Sequence, residues 1–358
     1  MLKQKEDNTV RIIKNKRLYD CFTKLCTCVV VCFCLMTTAA YAASFVPLKG
    51  TAEFREIPSD EKTSYESPSY TEDDGEERKE NAFSETPEES TVTEDSEEDT
   101  SDPGKIPAVS LSQYTLDDIP VIKVIDQTGY SPDVSEYEDS VITGGSIISD
   151  KPTVLIYHTH GTECYSPSST YTDGCEFNTT DTDKNVVAVG DCLSECLEEL
   201  GICVIHDRTM YDKDGYTTAY SRSKKAVKEM LAAYPSIKYV IDIHRDSVES
   251  EGKQAKTVTL FDEECAQLMI VVGTDAGGSG HKAWKVNFAN AVRLQKTMNE
   301  YYPTLARPIY LRTASFNQEL CEGALLIEVG SCGNTLEEAK KAASLLAMSL
   351  KNAFDQGK

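Results

Sequence analysis

Val154-Leu-Ile-Tyr-His-Thr-His-Gly-Thr-Glu-Cys-Tyr165 runs apolar for three residues, then crowds two of the chain's five histidines, a glutamate and two tyrosines into the next nine. A short apolar run of this kind reads as a buried strand, and the polar residues beyond it as the contents of its carboxyl end. Such a strand buries both faces only if helices cover them. The surrounding sequence supplies those helices.

Asn185 to Leu200 places Val186, Val189, Leu193, Cys196, Leu197 and Leu200 at three- and four-residue steps, and Gly201 gives the stop. Ile202 to Ile205 reads as a strand, Ser221 to Ala233 as a helix ended by Pro235, and Tyr239 to Ile243 as the next strand. A hairpin strand is expected over Thr257 to Phe261, then a strand over Leu268 to Val272 and a helix from Ala283 to Tyr301, stopped at Pro303. Strands at Ile309 to Leu311 and Leu325 to Val329, and a helix from Thr335 to Phe354, complete the series. Alternation of this sort predicts an α/β domain from about Ile106 to Lys358, a mostly parallel open sheet with helices on both faces.

Ligands of such sheets gather beyond the carboxyl ends of the strands. His158, His160 and Glu163 leave the first strand there. Asp242, His244 and Arg245 end I-D-I-H-R-D, and Glu328 ends L-L-I-E-V-G. His160 and Glu163 form H-x-x-E, a spacing that lets one tight turn aim an imidazole and a carboxylate at one point. With His244 they make three protein ligands and an open position, the pattern of catalytic zinc, Zn2+. Glu328 is the natural general base for water activated there. Spaced two residues from His160 in an extended chain, His158 shares its side and is either a supporting partner or a rival ligand. His206 and His281 have no ligand spacing nearby and read as structural. The loop Gly273 to Gly280 lacks the Gly-Lys-Ser/Thr ending of a phosphate loop and reads as a connection.

The rest of the chain sets the compartment. Residues 1–24 carry Lys3, Lys5, Arg11, Lys14, Lys16, Arg17 and Lys24 and read as a basic cytoplasmic tail; no residue from Leu25 to Leu48 is charged. That stretch is long enough to span a bilayer, and the basic side stays inside. Ala40-Tyr41-Ala42 resembles a cleavage site, so a cleaved signal is the rival to a retained single-pass anchor; either places the bulk of the chain outside the cell membrane. Residues 49–105 include an acidic tract, Thr51 to Gly104, which is too polar to bury a core and reads as an extended tether. The net charge of -23, carried mostly by this tract, argues against a nucleic-acid partner, which requires a basic face. None of the eight cysteines beyond the anchor forms C-x-x-C, which argues against a cysteine zinc site; Cys164/Cys175 and Cys321/Cys332 are open as disulfides in an exported domain.

Y-H-T-H-G-T-E-C-Y, K-N-V-V-A-V-G, I-D-I-H-R-D-S, F-N-Q-E-L and L-L-I-E-V-G-S-C-G-N-T-L-E-E-A, between Lys151 and Ala347, together resemble the stage II sporulation protein P family of endospore formers. The resemblance implies a zinc amidase/exopeptidase-like fold and a zinc-dependent N-acetylmuramoyl-L-alanine amidase of engulfment, with endopeptidase activity also attributed to the family. It implies action from the mother-cell membrane on the septal wall, with peptidoglycan as substrate and the stage II sporulation proteins D and M as partners. It adds Asn317, beside Asp242 and Arg245, as a residue that touches substrate or supports the ligands. Zinc amidases usually place a glutamate ligand at the start of the helix after the first strand, where this chain reads Asp183-Lys184-Asn185; Glu163 is therefore the preferred carboxylate ligand and Asp183 the runner-up. Two rivals stand beside this reading. A stem-peptide metallocarboxypeptidase would need a cation for the terminal carboxylate, with Arg245 or Arg312 available; a wall-binding module would need no zinc.

Overall fold

Thr153 to Tyr157 are buried without interruption in the computed structural model, which describes residues 106–111, 122–138, 145–168, 177–250 and 253–355. The basic tail, the apolar stretch and the acidic tract lie outside the described residues, as does Cys175. Among the described residues no helix is long and apolar enough to cross a membrane.

The strands are β1 Ala108–Val109, β2 Val124–Asp126, β3 Ser149–Tyr157, β4 Ile202–His206, β5 Tyr239–Asp246, β6 Glu249–Ser250, β7 Lys253–Gln254, β8 Lys256–Thr257, β9 Leu268–Gly273, β10 Ile309–Arg312 and β11 Ala324–Ser331. The α-helices are α1 Val186–Glu199, α2 Ala219–Ala233, α3 Trp284–Tyr301 and α4 Leu336–Phe354. Seven strands form one sheet in the order β2-β10-β9-β11-β5-β3-β4, and every pairing in it is parallel except β9 against β11. The expected mixed α/β fold with a mostly parallel sheet is therefore found, with one feature that periodicity does not encode: β9, β10 and β2 run against the other four.

Alternate residues of the central strands feed two cores. Ile156, Ile241, Ile243, Ile327 and Val329 join the larger one, with Leu193 and Leu197 of α1, Phe288 of α3 and Leu346 of α4. Leu155, Tyr157 and Val240 face the opposite way, onto Val227 of α2. One face thus carries three helices and the other carries α2.

Local chemistry starts the helices where the sequence says. The Asn185 side chain accepts from Val187 N at 3.0 Å at the start of α1. Thr335 and Glu338 exchange side-chain to backbone hydrogen bonds in a capping box that opens α4. The buried face of α4 is largely alanine, Ala339, Ala342, Ala343 and Ala347, which lets it lie close against the sheet and α1.

Two expectations are corrected. The hairpin strand over Thr257 to Phe261 is only β8, paired in parallel with β1, and Val258 bridges Ala266. Cys321 and Cys332 cannot pair, because they flank opposite ends of β11; their sulfurs approach Lys238 O at 3.3 Å and Gln254 Oε1 at 2.5 Å.

Candidate functional site

β3, β5 and β11 run parallel, so their carboxyl ends open on one edge of the sheet. β3 ends at Tyr157 and the chain turns, with Glu163 N donating to His160 O at 3.2 Å. That turn sets the H-x-x-E pair against His244 of β5: Glu163 Oε2 lies 3.4 Å from His244 Nδ1, and the rings of His160 and His244 stand 5.5 Å apart, centroid to centroid. Glu328 is the register partner of His244 across the β5/β11 pair and rises on the same face. The four residues that the sequence singled out from three distant segments are therefore neighbours on the face that carries α2.

The electrostatics follow from burial and mutual charge. His244 is flanked by Glu163 on one nitrogen and by Asp242 Oδ2, 3.1 Å from Nε2, on the other. Burial alone would depress its pKa, but the Asp242 and Glu163 carboxylates outweigh it and hold the imidazole well above its ordinary value. Burial likewise pushes the Asp242 carboxyl up, and the His244 charge with two hydrogen bonds from Thr159, N at 2.8 Å and Oγ1 at 2.6 Å, brings it below the ordinary carboxylate value. Glu328 keeps some exposed surface, yet burial of its carboxyl, against the opposing pull of His244, raises its pKa to about 8.

Three shielded atoms at this edge have no hydrogen-bond partner: His160 Nδ1, His244 Nε2 and Glu328 Oε2. Both nitrogens face a carboxylate, Asp212 Oδ2 at 3.8 Å and Asp242 Oδ2 at 3.1 Å, so the unspent capacity is that of the Glu328 oxygen, and an unpaired buried polar atom is costly. Among the described residues no group of three or more His, Cys, Asp or Glu side chains is placed to hold a metal ion. The donor set of two imidazoles and a carboxylate, with polar capacity left unspent around it, is of the kind that zinc takes.

The supporting residues divide. Asn317 donates to Tyr220 O and to Ser223 Oγ, both at 3.0 Å; Ser223 Oγ lies 3.0 Å from Thr159 Oγ1, which bonds Asp242. A relay of hydrogen bonds thus runs from Asn317 to the carboxylate beside His244, and Asn317 adopts a left-handed backbone, φ 58°, to begin it. Arg245 donates its backbone N to Glu163 at 3.2 Å, while its guanidinium is spent on Cys164 O and Phe177 O. Asp183 sits exposed on a turn.

His158 departs from expectation. Alternation holds only while the strand lasts, and β3 stops one residue before it, so His158 and His160 do not share a side. His158 Nδ1 donates to Ile243 O at 3.2 Å, since a carbonyl can only accept, and its Nε2 lies 2.8 Å from His206 Nε2 under α1. Gly190 of α1 makes the room: a Cβ there would stand 2.5 Å from His206 Nε2 and 2.6 Å from His158 Nε2. His281 bonds Asn287 Oδ1 at 3.0 Å, a structural role.

Sequence reading missed two residues of the loop between β4 and α2. Asp212 Oδ2 stands 3.8 Å from His160 Nδ1, and the Tyr216 ring stacks on the His160 imidazole at 3.8 Å. M-Y-D-K-D-G-Y has the look of an ordinary polar turn, and only tertiary structure brings it to the site.

The domain is thus an α/β sheet with an imidazole and carboxylate cluster at the shared carboxyl edge of three parallel strands. The chain belongs to the stage II sporulation protein P family, whose model matches residues 38–351. It is 34% identical over 212 residues to the stage II sporulation protein P of Bacillus subtilis (strain 168), a match covering 55% of this chain and 50% of that protein, so the chain spans about half the length of the curated relative it matches. Similar solved structures include an N-acetylmuramoyl-L-alanine amidase from Clostridium difficile 630, 17% identical with a TM-score of 0.37, covering 59% of this chain and 100% of that one. Another is the CwlD amidase from Clostridioides difficile in complex with the GerS lipoprotein, 13% identical with a TM-score of 0.36, covering 56% and 95%.

Proposed function

We propose that this protein is a sporulation peptidoglycan hydrolase, a zinc-dependent N-acetylmuramoyl-L-alanine amidase that removes stem peptides from glycan strands. The observation that carries the reading is the meeting of His160, Glu163 and His244 with Glu328 on one sheet edge, in a chain of the stage II sporulation protein P family. His160, Glu163 and His244 hold the metal. Bound zinc supplies Lewis acidity at that place, polarising an amide carbonyl and acidifying water. Asp242 fixes the His244 ring through Nε2, and Thr159 fixes Asp242. Glu328, beside His244, takes the proton of the attacking water and delivers it to the leaving nitrogen. The N-terminal apolar stretch tethers the domain to the mother-cell membrane, and the stage II sporulation proteins D and M are its partners in engulfment.

The metallocarboxypeptidase reading is disfavoured by its own requirement. Arg245 is committed to two carbonyls. Arg312 is engaged over the Tyr310 and Phe316 rings.

Mass spectrometry of purified wall digested by the full chain, with metal analysis of the same preparation, tests the reading. Expected are bound zinc and released peptides that begin at L-alanine. Peptides cut within the stem would show endopeptidase activity, and stems shortened by one carboxyl-terminal residue would establish the carboxypeptidase. Retention on wall with neither zinc nor products would leave a binding module.

A further inference from the structure

The loop between β4 and α2, Thr209 to Thr218, touches the His160 turn at four places. Gly161 abuts Met210, where a Cβ would stand 3.0 Å from Met210 Cα and 2.8 Å from its Cγ, so turn and loop meet almost backbone to backbone. Asp212, buried, accepts from Thr162 Oγ1 at 2.6 Å and from Thr162 N at 3.2 Å. The same carboxylate turns Oδ2 toward His160 Nδ1, a shielded nitrogen with no hydrogen bond of its own. Tyr216, though 62% exposed, lies flat on the His160 ring at 14° between planes. Arg222 of α2 fastens the loop from behind, with Nε on Tyr211 O at 2.6 Å and the guanidinium nitrogens on Gly215 O and Thr218 Oγ1.

We propose that this loop is a holder for His160, with Asp212 as the residue that positions the imidazole for metal binding. The inference rests on His160 being a ligand. A neutral imidazole carries one N–H, and a carboxylate facing Nδ1 favours the tautomer with the hydrogen there, which leaves the Nε2 lone pair for the cation. Ligand histidines are commonly oriented by a carboxylate on the other nitrogen in this way. His244 has such a partner in Asp242; Asp212 gives His160 the equivalent. Tyr216 fixes the plane of the ring, and Arg222 fixes the distance of the loop from the turn.

The experiment measures zinc affinity of the full chain by competition with a chelator, together with the unfolding midpoint of the metal-free protein. Asp212→Asn should weaken zinc binding about 10- to 100-fold. Asp212→Glu, which restores the charge, should recover part of that loss. Thr162→Val deletes the hydroxyl bond but keeps the carboxylate, and should leave affinity near that of the unaltered chain. If Asp212→Asn lowers the metal-free midpoint, its affinity is read against that of Asp212→Glu, because Asn keeps the shape and Glu keeps the charge. Unchanged zinc affinity in Asp212→Asn, or an equal loss in Thr162→Val, would overturn the proposal while leaving the metal reading intact. An unaltered chain that binds no zinc would overturn both.

Discussion

Glu328 is pulled in two directions. A general base must be ionised, but burial raises this carboxyl to about 8, so without a cation nearby it holds its proton at neutral pH. A cation held by His160, Glu163 and His244 would lower that value and release the base when the site is loaded. Glu328→Gln preserves the shape and removes the proton acceptor; zinc should stay bound while turnover falls by about two to four powers of ten. Metal content and rate, measured side by side, decide the matter, and loss of zinc would make Glu328 a ligand. His160→Ala and His244→Ala should instead lose zinc and activity together, and either variant that keeps both removes that residue from the ligand set. These four residues were legible because each ends an apolar run or sits at a short fixed spacing from one that does. Asp212 was not, because nothing local distinguishes it from the other aspartates of a polar turn.

At the scale of elements, α1 is joined to β3 and β4 by the His158 and His206 pair, and Gly190 is the point of closest approach. Gly190→Ala places a methyl group against two ring nitrogens. It should destabilise the domain by about 1 to 3 kcal/mol through overpacking, measured as a lower urea midpoint. The same pair makes the domain sensitive to acid. Burial, reinforced by the neighbouring His206, holds His158 at about 3, below its ordinary 6.5. Between those values the unfolded chain binds a proton that the folded chain refuses, so stability is full above about pH 6.5 and declines as pH falls toward 3. In chelator, the unaltered domain should therefore lose about 2 to 3 kcal/mol more than His158→Gln between pH 7 and 4.5. Equal losses would mean that His158 is not the proton acceptor. The sequence assigned His158 to the side of His160 by extending strand alternation past the last strand residue. The chain turns at Thr159, and the rule ends with the strand.

For the whole molecule, the order of strands and helices along the chain was legible from apolar periodicity, and the direction of β9 was not. L-M-I-V-V-G reads equally well whichever way the strand runs, and the choice depends on how α3 and the loops around it return the chain. The site escapes this ambiguity because β3, β5 and β11 all lie on the parallel side of the reversal. Removing most of Thr51 to Gly104 should leave activity on isolated wall nearly unchanged, since that tract has neither the apolar content for a core nor residues suited to the chemistry. Rates of the full and shortened proteins on the same substrate test this, and a large loss would mean that the tract docks on the domain.

The chain enters the domain through β1, laid beside β8, and then through β2, the outermost strand of the sheet, paired in register with β10 from Val124 to Asp126. Two strands, β10 and β9, stand between that edge and β11. Tension applied from the N-terminal side would therefore be borne first by hydrogen bonds at β1 and β2. At β2 the edge would shear, and slack would be released, before load carried along that edge reached the strands that hold His244 and Glu328.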